Sequence, residues 1–174
     1  YLRLLVNEND SEALLRVINY PARGIGETTQ NKLIVFADQN NISIAALLSN
    51  LGFYAPRLGL NNGVLNKLGE FWSMIKAFQV MLKQDNVYNV AMEVSKRSGL
   101  IKLLKDDQTP EGISRVENVQ ELLNSMQGFL EEQQQLEDGD ASLSNFLENI
   151  ALSADTQRND DEEDMVSLMT IHLS

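Results

Sequence analysis

Between Val64 and Leu82, six apolar side chains recur at alternating steps of four and three: Val64, Leu68, Phe71, Ile75, Phe78 and Leu82. That spacing holds all six on one stripe of a 3.6-residue helix, whereas a strand would scatter them over both faces. A seam of about five turns has to be covered, so the chain needs further helices around it. The flanking sequence supplies them. Asn9 followed by Glu12 is close to a capping box, and Ala13, Leu14, Val17 and Ile18 form a stripe that Pro21 ends. Helices are expected over about 27–40 and 42–51, then a loop through Gly52, Pro56 and Gly59 before the seam. Beyond it, a helix over about 87–98 has Gly99 at its C′ position, and Thr109 with Pro110 opens another. That helix is expected to carry Ile113, Val116, Val119, Leu122, Leu123, Met126, Phe129 and Leu130 inward; Leu143, Phe146, Leu147, Ile150 and Ala151 mark a last one. Only the short β-favouring run from Met165 to His172 reads as a strand. The expected fold class is all-α with one C-terminal β-strand.

The 174 residues, 43% of them hydrophobic, suffice for one core. With no cysteine and a single histidine, neither a disulfide framework nor a thiolate metal site is available, and no metal is expected. No apolar run approaches the roughly 20 residues of a membrane span, so a cytoplasmic setting is expected. The opening Tyr1–Val6 reads as a helix already under way and the apolar run to Leu173 lacks a polar tail, so the chain is expected to be a fragment.

A net charge of −11 taken whole argues against nucleic acid, but residues 131–164 hold twelve acids and one base. The remainder is neutral. Two acidic segments, about 131–142 and 155–164, are expected to be solvated and flexible.

Chemistry concentrates in Pro21-Ala22-Arg23-Gly24-Ile25-Gly26-Glu27-Thr28-Thr29. Two glycines around one apolar residue, between two helices, make a turn that Ile25 can anchor in the core. The turn runs into a helix N-terminus, where free N–H groups and the positive dipole end favour an anion. A phosphodiester suits such a place, with Arg23 beside it and the Thr28 and Thr29 hydroxyls near. This is the logic of a helix-hairpin-helix, which grips backbone phosphate and ignores base sequence; the same three residues can also serve as a plain connection between helices. Elsewhere the residues point to structure. His172 has no nucleophile or acid partner, Glu131, Glu132 and Glu137 lie in a polar run, and Trp72 falls on the helix seam. No catalytic residue is expected, and the Gly-x-x-x-x-Gly-Lys-Ser/Thr phosphate loop is absent.

Three segments, in order, resemble the UvrD/Rep/PcrA helicases of superfamily 1. Arg16-Val17-Ile18-Asn19-Tyr20-Pro21-Ala22-Arg23-Gly24-Ile25-Gly26-Glu27-Thr28-Thr29 looks like the signature that opens their 2B subdomain. Ser114-Arg115-Val116-Glu117-Asn118-Val119-Gln120-Glu121-Leu122 resembles a later helix, with a structural role for Arg115, Glu117 and Asn118. Val166–Ser174 resembles the opening of helicase motif V. The resemblance implies that residues 1–164 are a helical 2B subdomain and 165–174 the first strand of the returning RecA-like 2A domain. It implies an ATP-dependent 3′–5′ DNA helicase as parent, with ATP and Mg held outside this inactive piece. It further implies duplex-backbone contact by Arg23, Gly24, Ile25, Gly26, Thr28 and Thr29, and proximity of Thr170 and His172 to single-stranded DNA. The implied partners are DNA, the other helicase subdomains in cis, and repair proteins; the implied regulation is a swivelling of the subdomain. An alternative class remains open: a protein-interaction or autoinhibitory module without DNA contact.

Overall fold

The computed structural model describes residues 1–160, with side chains through Ser153. Among the described residues the elements are α1 (Leu2–Val6), α2 (Ser11–Val17), α3 (Glu27–Asn40), α4 (Ile44–Ser49), α5 (Leu51–Leu58), α6 (Asn62–Leu82), α7 (Val87–Arg97), α8 (Leu100–Asp106), α9 (Pro110–Gln135) and α10 (Leu143–Asp160). None is long and apolar enough to cross a membrane.

The seam helix is the centre. On α6, Leu68, Phe71, Trp72, Ile75 and Phe78 are all buried, and α1, α4, α5 and α7 pack around them. Trp72 adds its bulk to this core and donates its indole N–H to Ser49 Oγ at 3.0 Å, so burial leaves no polar atom stranded. Side-chain caps start six of the helices: Asp10, Ser43, Asn61, Asn86, Thr109 and Ser142 each accept an amide from the first turn. The cap of α2 is therefore Asp10 rather than Asn9, because Asp10 Oδ1 takes the Ala13 N–H at 2.9 Å. Gly99, with φ of 82°, follows α7 in the left-handed region, as its place in the sequence predicts.

Three expectations need correction. The expected class was all-α with a C-terminal strand; the described residues form helices and no strand. A strand's N–H and C=O groups need a second strand, and residues 1–160 offer none. The segment concerned, Met165–Leu173, lies outside the described residues, as do Thr170 and His172. The expected loop around Pro56 is the helix α5 with Pro56 inside it. Pro56, the sixth of the eight residues, removes only the bond that its own N–H would have given, and buried Leu58 and the Phe36–Tyr54 edge contact hold the segment. Finally, α8 between Gly99 and Thr109 was not foreseen: seven residues are too few to show periodicity, although Leu104 anchors it.

Candidate nucleic-acid interface

Ile18 caps α2, Pro21 follows a cis Tyr20–Pro21 bond, and Gly26 caps α3 with φ of −72° and ψ of 174°. Gly24 sits at φ of 72°, a conformation that an L side chain resists. The reversal is held from within. Asn19 Oδ1 accepts the backbone N–H of Arg23 at 2.8 Å and of Ile25 at 3.1 Å, bridging the turn with one side chain. Ile25 is fully buried, and its carbonyl accepts from Gln30 Nε2 at 3.2 Å.

The expected contact residues divide into two groups. Gly24, Gly26 and Thr28 are exposed, and among the described residues the amides of Gly24, Gly26, Glu27 and Thr28 donate to no protein acceptor. Ile25 and Thr29 are buried, and the Thr29 amide is bonded to the Gly26 carbonyl at 3.0 Å. Arg23 is half-buried: its guanidinium donates to the Val17, Pro21 and Ser98 carbonyls and to the Tyr1 hydroxyl. The turn thus brings together outward amides, with Arg23 and Ile25 directed into the fold behind them.

The cation at the outer rim is one the sequence reading passed over. Lys67, on the first turns of α6, is exposed and lays its ammonium against Gly24, so closely that a methyl group there would run into Nζ. It makes no hydrogen bond or ion pair among the described residues. Forty-three positions separate it from Gly24, so no local spacing could reveal it. Asn19 and Tyr1 were missed as well. For Asn19 a signal existed, since an Asn two residues before a proline is a common side-chain acceptor in turns.

Beyond the turn, a groove of about 440 Å³ runs along the outer face of α3, lined by Thr28, Lys32, Gln39 and Arg57 among others, with no acid. Lys32 Nζ donates to the Gly59 carbonyl at 2.8 Å, and the Arg57 guanidinium lies 5.2 Å over the Phe36 ring. Residues 20–82 contain five bases (Arg23, Lys32, Arg57, Lys67, Lys76) and three acids (Glu27, Asp38, Glu70), a net charge of +2 against −13 for the rest. The turn therefore stands in the positive part of an acidic chain. Glu27 is its one adjacent carboxylate, placed where a helix N-terminus favours negative charge.

Comparison with known proteins adds an independent line. All 174 residues match the family of the UvrD-like helicase C-terminal domain. Among curated relatives, the ATP-dependent DNA helicase PcrA of Staphylococcus aureus is 34% identical over 172 residues, covering 99% of this chain and 22% of that protein. The ATP-dependent DNA helicase PcrA of Staphylococcus epidermidis is 35% identical over 175 residues, with the same coverage. The chain spans about a fifth of the length of these relatives.

Proposed function

The chain belongs to the UvrD-like helicase C-terminal domain family, and from that premise we propose that it is the 2B-type duplex-contact subdomain of an ATP-dependent DNA helicase. In this reading residues 1–164 form the subdomain and 165–174 lead back into the motor. The subdomain swings against the motor cores and steadies the duplex being separated. ATP and Mg belong to the rest of the parent protein; the residues here include no phosphate loop, and no step of hydrolysis is assigned to them.

The observation that carries the proposal is the row of free amides at Gly24, Gly26, Glu27 and Thr28, with Lys67 beside them and a positive surface around. Main-chain N–H groups at a helix start grip phosphate oxygen whatever the base sequence. A motor that passes every sequence needs that indifference, since reading base edges would stall it at preferred sites. Two exposed glycines let the sugar–phosphate strand come close, and Thr28 adds a hydroxyl.

Gly26→Ala separates contact from folding. A Cβ there meets nothing within 4 Å, and φ of −72° suits alanine, so thermal stability should hold. Duplex affinity should fall about tenfold, the equivalent of about 1.4 kcal/mol, because the methyl group stands where the strand approaches. Titration with a hairpin duplex should shift the Gly24, Gly26, Glu27 and Thr28 amide resonances. If those four amides stay still at saturating DNA, the duplex-contact reading is wrong.

A further inference from the structure

Arg23 turns away from the surface that its own turn presents. Nη1 donates to the Val17 and Pro21 carbonyls, both at 3.0 Å, and Nη2 to the Tyr1 hydroxyl at 2.6 Å and the Ser98 carbonyl at 2.9 Å. Four of the five guanidinium N–H bonds are thereby engaged. The Phe71 and Tyr1 rings lie 5.5 and 5.9 Å from Cζ, adding cation–π attraction on the flanks. No carboxylate is among these partners. Instead Val17 ends α2 and Ser98 caps the end of α7, so two helix C-termini direct their negative dipole ends at the guanidinium. The Tyr1 hydroxyl in turn donates to the Tyr20 carbonyl at 2.5 Å, closing the network. The Pro21 ring lies near Gly99, at the junction of α7 and α8, close enough that a Cβ there would meet its Cγ at 3.8 Å.

To reach a phosphate, this side chain would have to give up its bonds to the Val17, Pro21 and Ser98 carbonyls and to the Tyr1 phenol, of which the Val17 carbonyl alone keeps a backbone donor, the Tyr20 amide. We propose that Arg23 is a positioning residue: it stays inside the fold, ties the turn to Tyr1 and to the α7–α8 junction, and so keeps the Gly24–Thr28 amides facing outward. The inference rests on the duplex-contact reading and specifies how that surface is held. A lysine could not replace the fork, because one ammonium cannot span four acceptors from separate segments.

The test measures duplex affinity of the whole chain against salt concentration, using a hairpin DNA, for the unaltered protein and for Arg23→Lys, Arg23→Gln, Tyr1→Phe and Phe146→Leu. Arg23→Lys should bind about tenfold more weakly although its charge is kept, with the Gly24–Thr28 amide resonances displaced before DNA is added. Arg23→Gln should keep the unaltered slope of log affinity against log salt, because no phosphate contact is lost. Tyr1→Phe, which removes one acceptor, should cost about threefold. Phe146→Leu, a core change on α10, should lower the melting temperature and leave affinity alone, which separates positioning from general stability.

A slope lowered by about 1 in Arg23→Gln would mean a direct phosphate contact and would overturn the inference, as would full affinity in Arg23→Lys. Should neither Arg23 variant fold, Tyr1→Phe decides: a threefold loss supports the clamp and unchanged affinity removes it. Absence of any duplex binding by the unaltered chain is a distinct outcome, in which the contact reading fails and the inference falls with it.

Discussion

The two longest described helices, α6 and α9, keep their places by different means. Over 21 residues α6 buries Phe71, Trp72 and Phe78 along with Leu68 and Ile75, and it packs against α1, α4, α5 and α7. Over 26 residues α9 buries only Gly112, Leu123, Met126 and Phe129, and leaves Ile113 half exposed. Its start depends on local devices: Thr109 Oγ1 takes the Gly112 amide at 3.1 Å, with Pro110 pre-set at the first position. The proposed contact turn is backed by α6, through Phe71 beneath Arg23 and Lys67 at the rim. The acidic stretch begins on α9. Rigid support and positive charge thus coincide in one region, and solvated negative charge collects in the other.

If that contrast is real, truncation should have very unequal effects. Phe71→Ala should cost about 3–5 kcal/mol in chemical denaturation, since it opens a cavity under α6 and removes a face from Arg23. Ile113→Ala, on the exposed early turns of α9, should cost about 0.5 kcal/mol or less. Similar losses at the two positions would erase the distinction between a core helix and a peripheral one.

The contrast also explains what could be read in advance. The α6 seam is legible because a buried helix repeats its apolar residues over many turns, and Val64 to Leu82 does so without a break. Thr109-Pro110 was legible because caps are local chemistry. By contrast α5 and α8, of eight and seven residues, are too short for a period and depend on tertiary contacts. The turn at Gly24-Ile25-Gly26 and the burial of Ile25 followed from the same local logic. The fate of Arg23 did not, because its acceptors include Tyr1 and Ser98, 22 and 75 residues away, and a lone arginine beside glycines looks free to meet phosphate. Lys67 was hidden for the same reason.

A smaller effect sharpens the comparison at the helix starts. Thr109→Ala should cost about 1 kcal/mol and fray the first turn of α9. Hydrogen exchange should quicken at Gly112 and Ile113, the amides nearest the lost cap, while the Phe71 amide on α6 keeps its protection. Spread of the faster exchange into α6 would show that the two regions unfold together rather than separately.

The smallest expected effect lies in pH dependence, and its sign differs between the regions. Asp107, before α9, has its carboxyl held below the ordinary 3.8, first by the Thr109 hydroxyl and then by the Thr109 amide. A lowered acid contributes stability above its unfolded value, and that contribution is lost as pH falls through the folded value. Asp10, which caps α2 near the turn, behaves likewise: the Ala13 amide dominates and Arg3 assists. Both regions therefore weaken in acid. Only the turn region adds an alkaline limb. Burial pushes the Tyr1 phenol above its ordinary 10.0, outweighing the opposing pull of Arg23. Its contribution is present below pH 10.0 and is lost as pH rises through the folded value, because the unfolded chain ionises first. Tyr1→Phe should therefore flatten the alkaline side of the stability profile and leave the acid side in place, as followed by melting temperature from pH 3 upward on the order of eight units. An unchanged alkaline limb in that variant would mean that the phenol is not buried against the turn, and the turn would then be no better anchored than the start of α9.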